Sequence, residues 1–200
     1  MITILTRSGN RQKDFEELRT SINQQTKKPA HFISNDNPEC TFLSNEKNVF
    51  PVVAEPEKGA AFYNLYLNEL VSKVEEGWII ILDDDSKLID NTFIEKLMNI
   101  CKKTSNDKII IYQSFIGKSK RKIPNDSNME NKLIKQCKID MSCFCAHVSV
   151  LKQVEFDGRR CGDYNILKKL KDKEFNFEFI KNIPIGIWAN YQGEKHGKNI

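Results

Sequence analysis

The chain has 200 residues, which suits one domain with a core large enough to need no disulfides. Its 31 Lys and Arg against 27 Asp and Glu leave a formal net charge of +4 spread along the sequence, which excludes the concentrated basic stripe of a nucleic-acid-binding domain. No segment nears the roughly 18 apolar residues of a membrane span, and because Met1-Ile2-Thr3-Ile4-Leu5 runs straight into a strand no signal peptide is expected.

The predicted elements alternate. Ile2 to Leu5 reads as a strand and Thr6-Arg7-Ser8-Gly9-Asn10 as a polar loop; Asp14 to Gln25 carries Phe15, Leu18 and Ile22 at helical spacing. His31 to Ser34 is a second strand, closed by the turn residues Asn35-Asp36-Asn37-Pro38, and Asn48 to Val53 a third. Gly59 to Glu76 is expected to be a long helix stopped by Gly77. The run Trp78-Ile79-Ile80-Ile81-Leu82 is a strand apolar on both faces, as in the middle of a parallel sheet.

Thr92-Phe93-Ile94-Glu95 has capping-box form and opens a helix with Phe93, Leu97 and Cys101 inward. Lys108 to Phe115 is an isoleucine-rich strand, and the basic stretch Gly117 to Lys132 reads as a loop. Ile139 to Leu151 is strand then short helix, Asp163 to Lys173 a helix with Tyr164, Leu167 and Leu170 inward, and Asn176 to Ile180 a last strand before an aromatic carboxyl-terminal segment. This alternation implies a single α/β domain with a mostly parallel central sheet in an α/β/α sandwich. Six cysteines, at 40, 101, 137, 143, 145 and 161, form no CxxC pair, so free thiols in a reducing, cytoplasmic compartment are expected.

The chemistry concentrates at Asp83-Asp84-Asp85, directly after the apolar strand. Ligands of open α/β sheets bind beyond the carboxyl ends of the strands. Three crowded carboxylates raise one another's pKa, a cost that a divalent cation would offset. On extended backbone Asp83 and Asp85 face the same way and Asp84 turns aside. Mg²⁺ is usually held by one or two carboxylates, with water and phosphate oxygens completing its shell.

In this order the motifs resemble the GT-A fold (Rossmann-like) glycosyltransferases, most closely the large family-2 type. Ile2-Thr3-Ile4-Leu5-Thr6-Arg7 looks like their first strand and nucleotide-binding loop, and Asp36 matches the acidic residue that reads the nucleotide base. Gly59-Ala60-Ala61-Phe62-Tyr63-Asn64 is similar to the helix before the metal site, with Tyr63 where the family usually has Arg. Leu82-Asp83-Asp84-Asp85-Ser86 matches the DxD element, and Cys161-Gly162-Asp163-Tyr164 the later acidic motif that supplies the catalytic base of inverting members.

The resemblance implies a hexosyl- or deoxyhexosyltransferase that inverts the anomeric carbon of a UDP- or GDP-sugar and passes the sugar to a glycan or other hydroxyl acceptor, with residues 1–115 as its nucleotide- and metal-binding half and 116–200 as its acceptor half and carboxyl-terminal segment. Mn²⁺ or Mg²⁺ would be held by Asp83 and Asp85, with His196 completing the shell. Thr6, Arg7, Asp36, Asn64, Asp83 and Asp84 would contact the nucleotide sugar, and Asp163 would take the acceptor's proton.

Several residues keep two readings. Asp163 is a candidate base or a helix N-cap; His196 is a ligand or a tail histidine. Trp188 and Tyr191 either stack on a sugar or pin the tail. Asp140 is an acceptor contact or a turn residue, and Arg159 and Arg160 are phosphate forks or surface charges. Lys118, Lys120, Arg121 and Lys122 form a lid or a solvated run. Cys143, Cys145 and His147 alternate, as on one strand face, but fit no common zinc spacing and read as buried small apolar residues. A sugar-nucleotide nucleotidyltransferase lacks its Gly-rich loop here; a non-catalytic binding module of the same fold stays open.

Overall fold

A computed structural model describes residues 1–52 and 62–190. The elements are β1 (Ile2–Ser8), α1 (Gln12–Asn23), β2 (Ala30–Asn35), β3 (Val49–Pro51), α2 (Tyr66–Lys73), β4 (Trp78–Ile81), β5 (Ser86–Leu88), α3 (Phe93–Cys101), β6 (Lys108–Ile111) and β7 (Ser114–Ile116). They continue with β8 (Arg121–Ile123), α4 (Asp126–Glu130), β9 (Phe144–His147), α5 (Val148–Leu151), α6 (Gly162–Asp172), β10 (Asn176–Phe179) and β11 (Ile187–Ala189).

A seven-stranded sheet runs β10-β6-β9-β4-β1-β2-β3. Its pairs are parallel except for β9, which is antiparallel to both β4 and β6. The isoleucine runs sort by the period of two that strands impose. Ile79, Ile81, Ile109 and Ile111 join the core under α2, α5 and α6, while Ile80 and Ile110 join the one under α1 and α3. Both faces are therefore covered, and the domain is an α/β/α sandwich. A four-stranded sheet, β5-β11-β7-β8, lies beyond the carboxyl ends of β4 and β6 in chain order.

Some local expectations change. Thr6, Arg7 and Ser8 belong to β1, not to a loop, because pairing with β2 continues to Ser8 opposite Asn35. The long helix is shorter: a 3-10 turn at Phe62–Leu65 leads into α2, which ends at Lys73 with Val74 already extended. Gly59 to Ala61 lie outside the described residues. Gly77 serves the next strand, taking φ +92 where a Cβ would stand 2.7 Å from the Met1 carbonyl oxygen. Thr92 makes no capping bond to α3; its backbone N–H and hydroxyl donate to Asp90 Oδ1 at 2.8 and 2.7 Å.

The Lys108 to Phe115 strand divides into β6 and β7, which lie in different sheets. Gly117 to Lys132 holds β8 and α4 where a loop was expected. Cys143 sits in a 3-10 turn before β9 and packs on the opposite core from Cys145, so the two share no strand face. Both are fully buried, and burial pushes both thiols well above the ordinary range.

Candidate functional site

β1 and β4 are parallel neighbours with Leu5 opposite Ile81, and Leu82 N donates to Leu5 O at 3.0 Å. Residues just past that register, Arg7 and Ser8 on one strand and Asp83 to Asp85 on the other, therefore meet at the carboxyl edge. The acidic triplet is not extended. Ser86 N donates to Asp83 O at 2.9 Å and closes a turn, so the i, i+2 argument gives way to a different division of the carboxylates.

Asp83 faces Arg7, whose Nε donates to its Oδ1 at 2.9 Å and whose second terminal nitrogen pairs with the same oxygen. Asp84 and Asp85 share Arg11, which follows β1. Arg11 pairs closely with Asp84 Oδ1 and reaches Asp85 Oδ2 at 3.2 Å, while Ser8 Oγ donates to Asp84 Oδ2 at 3.0 Å. Asp84 is almost fully buried. Burial raises its carboxyl to about 7, with Asp83 and Asp85 adding to the rise and Arg11 and Ser8 opposing it.

Arg7 connects this turn to the acidic motif of α6. Its Nη1 donates to Asn64 Oδ1 at 2.6 Å, and Asn64 Nδ2 donates to Arg159 O at 3.3 Å. Tyr63 offers its ring to Arg7 at 4.8 Å from the centroid. Gly162 packs so closely on Asn64 that a Cβ would stand 2.9 Å from Asn64 Cγ. Its neighbour Asp163 lies in the first turn of α6; the N-cap position is Cys161, in left-handed backbone.

Asp163 Oδ1 accepts a hydrogen bond from Tyr164 N at 2.7 Å. Burial first, then the charges of Asp140 and Asp83, push its carboxyl up to about 7 against that bond. Asp140, also raised by burial, caps the 3-10 turn by accepting from Ser142 N at 2.9 Å and Ser142 Oγ at 2.6 Å. Asp163 follows by four residues the Arg159 carbonyl that Asn64 links to Arg7 and so to Asp83.

The other candidates are placed as follows. Thr6 is fully buried, and its hydroxyl sits 2.9 Å from His31 Nε2, inside the sheet and not in the acidic cluster. Asp36 is exposed after β2, its backbone N donating to Ser8 O at 3.2 Å. Gly9 allows this approach, since a Cβ there would lie 3.0 Å from Asn37 N. Arg159 and Arg160 are exposed. Trp188 sits on β11, where its Nε1 donates to Gly117 O at 3.0 Å and its ring faces Lys87 Nζ at 4.7 Å. A cleft of about 440 Å³ opens beside Asp85 between Lys13, Lys87 and Trp188. Tyr191 and His196 lie outside the described residues.

Ser8 and Arg11 were not singled out in the sequence. The signal for Arg11 is its place just past a strand that neighbours the acidic one.

The donor set at the turn is all carboxylate oxygen, which suits Mg²⁺ or Mn²⁺. Among the described residues no group of three ligating side chains converges. One or two carboxylates are enough for an ion that takes its remaining ligands from phosphate and water, so the residues fit such an ion on the condition that Arg11 gives way.

No family model matches the chain, and no curated protein matches it by sequence. Solved structures do match. TarS 1-349 of S. aureus in complex with UDP superposes with a TM-score of 0.72 at 12% identity, over 98% of this chain and 62% of that one. The same protein in complex with UDP-GlcNAc gives 0.68 at 10% identity, over 100% of this chain and 61% of that one. The mannosyltransferase PcManGT from Pyrobaculum calidifontis, in complex with GDP-Man and Mn²⁺, gives 0.63 at 11% identity, over 94% and 56%. The fold is thus a GT-A-like glycosyltransferase fold, and this chain spans about three fifths of the length of these structures.

Proposed function

We propose that this chain is a glycosyltransferase domain that takes a hexosyl or deoxyhexosyl group from a nucleotide sugar to a hydroxyl acceptor, with inversion and with Asp163 as base. The observation that supports the reading is the hydrogen-bonded chain from Asp83 through Arg7 and Asn64 to the Arg159 carbonyl, four residues before Asp163. The nucleotide and sugar-nucleotide complexes of the structural neighbours support a UDP- or GDP-sugar as donor.

On this reading Asp36, Arg7, Asn64 and Asp84 contribute to nucleotide binding, and Asp83 and Asp85 hold a divalent cation; the Mn²⁺ of one neighbour supports that assignment. When bound, the ion supplies Lewis-acid stabilisation of the departing diphosphate. The acceptor oxygen bonds to the anomeric carbon as the bond to the diphosphate oxygen breaks, and the acceptor's proton passes to Asp163. A carboxyl titrating at about 7 is well suited to accepting a proton at neutral pH. Thr6, paired with His31, supports β1 and β2 from within.

Calorimetry with UDP and GDP, with and without Mn²⁺, followed by a turnover assay across a panel of sugar nucleotides, tests the proposal. Metal-dependent nucleotide binding with release of nucleoside diphosphate is expected. One observation favours a second reading, a binding module without catalysis: Arg7 and Arg11 already pair with all three carboxylates of the acidic turn. Nucleotide binding that is indifferent to Mn²⁺, with no turnover on any donor, would select it.

A further inference from the structure

Two of the six cysteines stand apart from the rest. Cys137 Sγ and Cys161 Sγ are 3.9 Å from each other, Cys137 exposed and Cys161 half-buried. Both hold left-handed backbone, at φ +58 and +60, a region that few non-glycine residues adopt. Such conformations persist where surrounding structure imposes them, and they cluster at functional positions. Gln136 Nε2 also donates to Cys161 Sγ at 3.5 Å, which fixes the loop against the start of α6. Among the described residues, Cys101, Cys143 and Cys145 are buried in the cores and Cys40 is half-buried near β2.

We propose that Cys137 and Cys161 form a reversible oxidation site, a dithiol that closes to an intramolecular disulfide when it meets a small disulfide oxidant such as oxidised glutathione. The exposed Cys137 attacks first as its thiolate. Its sulfur bonds to one glutathione sulfur, and the other glutathione leaves as a thiolate. Cys161, also as thiolate, then attacks Cys137 Sγ in the mixed disulfide and expels the second glutathione. Two S–H bonds are lost and one S–S bond forms. Oxidised glutathione is reduced to two glutathione molecules, which carry the two protons away. The sulfurs must close from 3.9 Å to about 2.05 Å, and the exposed loop around Cys137 has room to make that approach. The bond ties the loop that leads to Asp140 to the turn that precedes Asp163, so it fixes the two elements carrying those acids.

The test uses the full chain, reduced and then equilibrated across glutathione redox ratios, with alkylation, thiol counting and peptide mapping. Six thiols are expected to fall to four, with a mass loss of two hydrogens and a crosslinked pair of peptides containing Cys137 and Cys161. The Cys40→Ser variant should behave the same way. Cys137→Ser and Cys161→Ser should each abolish the crosslink and leave a glutathione adduct on the remaining partner. Six thiols throughout, stable adducts on both cysteines of the native chain, or a crosslink that survives in either single variant would overturn the proposal.

Discussion

Replacing Asp163 by Asn separates its chemical role from its structural one, because the two carry opposite signs. Asn keeps the Oδ1 acceptor for the Tyr164 N–H, a bond of 2.7 Å, and removes only the charge. If Asp163 takes the acceptor's proton, turnover should fall by about 10²- to 10⁴-fold, the usual contribution of a positioned base. Nucleotide binding should survive. Stability should rise in alkali. The carboxyl titrates at 3.8 when unperturbed and at about 7 in the fold, so between those values the folded chain holds a proton that the unfolded chain lacks. Its contribution is fully present below 3.8 and is lost as pH rises through about 7. That interval corresponds to roughly 4 kcal/mol, and partial solvent access at this half-buried residue discounts it to about 1–3 kcal/mol.

The variant should therefore match the native protein near pH 4 and exceed it by about 1–3 kcal/mol at pH 8, measured by urea unfolding. Native turnover, followed by release of nucleoside diphosphate, should climb with pH through about 7 as the base loses its proton. A variant that turns over within about threefold of native, or that is less stable at pH 8, would refute the assignment of Asp163 as a strained, functional carboxylate.

Arg11→Ala removes the cation that Asp84 and Asp85 share, so Mn²⁺ without nucleotide should bind several-fold more tightly, read by electron paramagnetic resonance; equal or weaker binding counts against a metal at this turn. Arg7→Lys loses the fork that reaches both Asp83 and Asn64 and should cost about 1–3 kcal/mol in urea unfolding, whereas an unchanged midpoint would mean the link is slack. Gly186→Ala places a Cβ 2.7 Å from that of the fully buried Phe93, and thermal unfolding should show a loss of about 1–3 kcal/mol from overpacking; no loss would show that α3 shifts freely.

How far the fold could be read depends on what each segment buries. The runs at 78–82 and 109–111 are apolar on both faces because both faces meet helices, so the central strands were legible. β8 buries only Ile123 of its three residues, and β11 is three residues long. Neither is long enough to show a period of its own. The end of α2 was misplaced for a related reason: Val74 is buried and continues the apolar stripe, yet its backbone is extended. Gly77, which looks like a helix stop, is required by the Met1 carbonyl across the sheet, a contact that no local pattern encodes.

The acidic turn shows where sequence reasoning about the site stops. The crowding of three carboxylates was legible and called for positive charge. What supplies it in the fold is Arg7 and Arg11, separated from Asp83 and Asp85 by 76 and 74 positions and brought across by the β1–β4 register. The Arg11 side chain is 27% exposed, while those of Asp84 and Asp85 are 3% and 7% exposed, so the guanidinium is the partner freer to move. A cation arriving alone has to displace it from two carboxylates. A diphosphate arriving alone meets the negative charge that remains. If both arrive together, Arg11 can turn from the carboxylates to the phosphate oxygens, which suit its fork, as the cation takes its place. Metal and nucleotide binding would then be coupled through Arg11, and the Arg11→Ala variant should weaken that coupling while it strengthens metal binding alone.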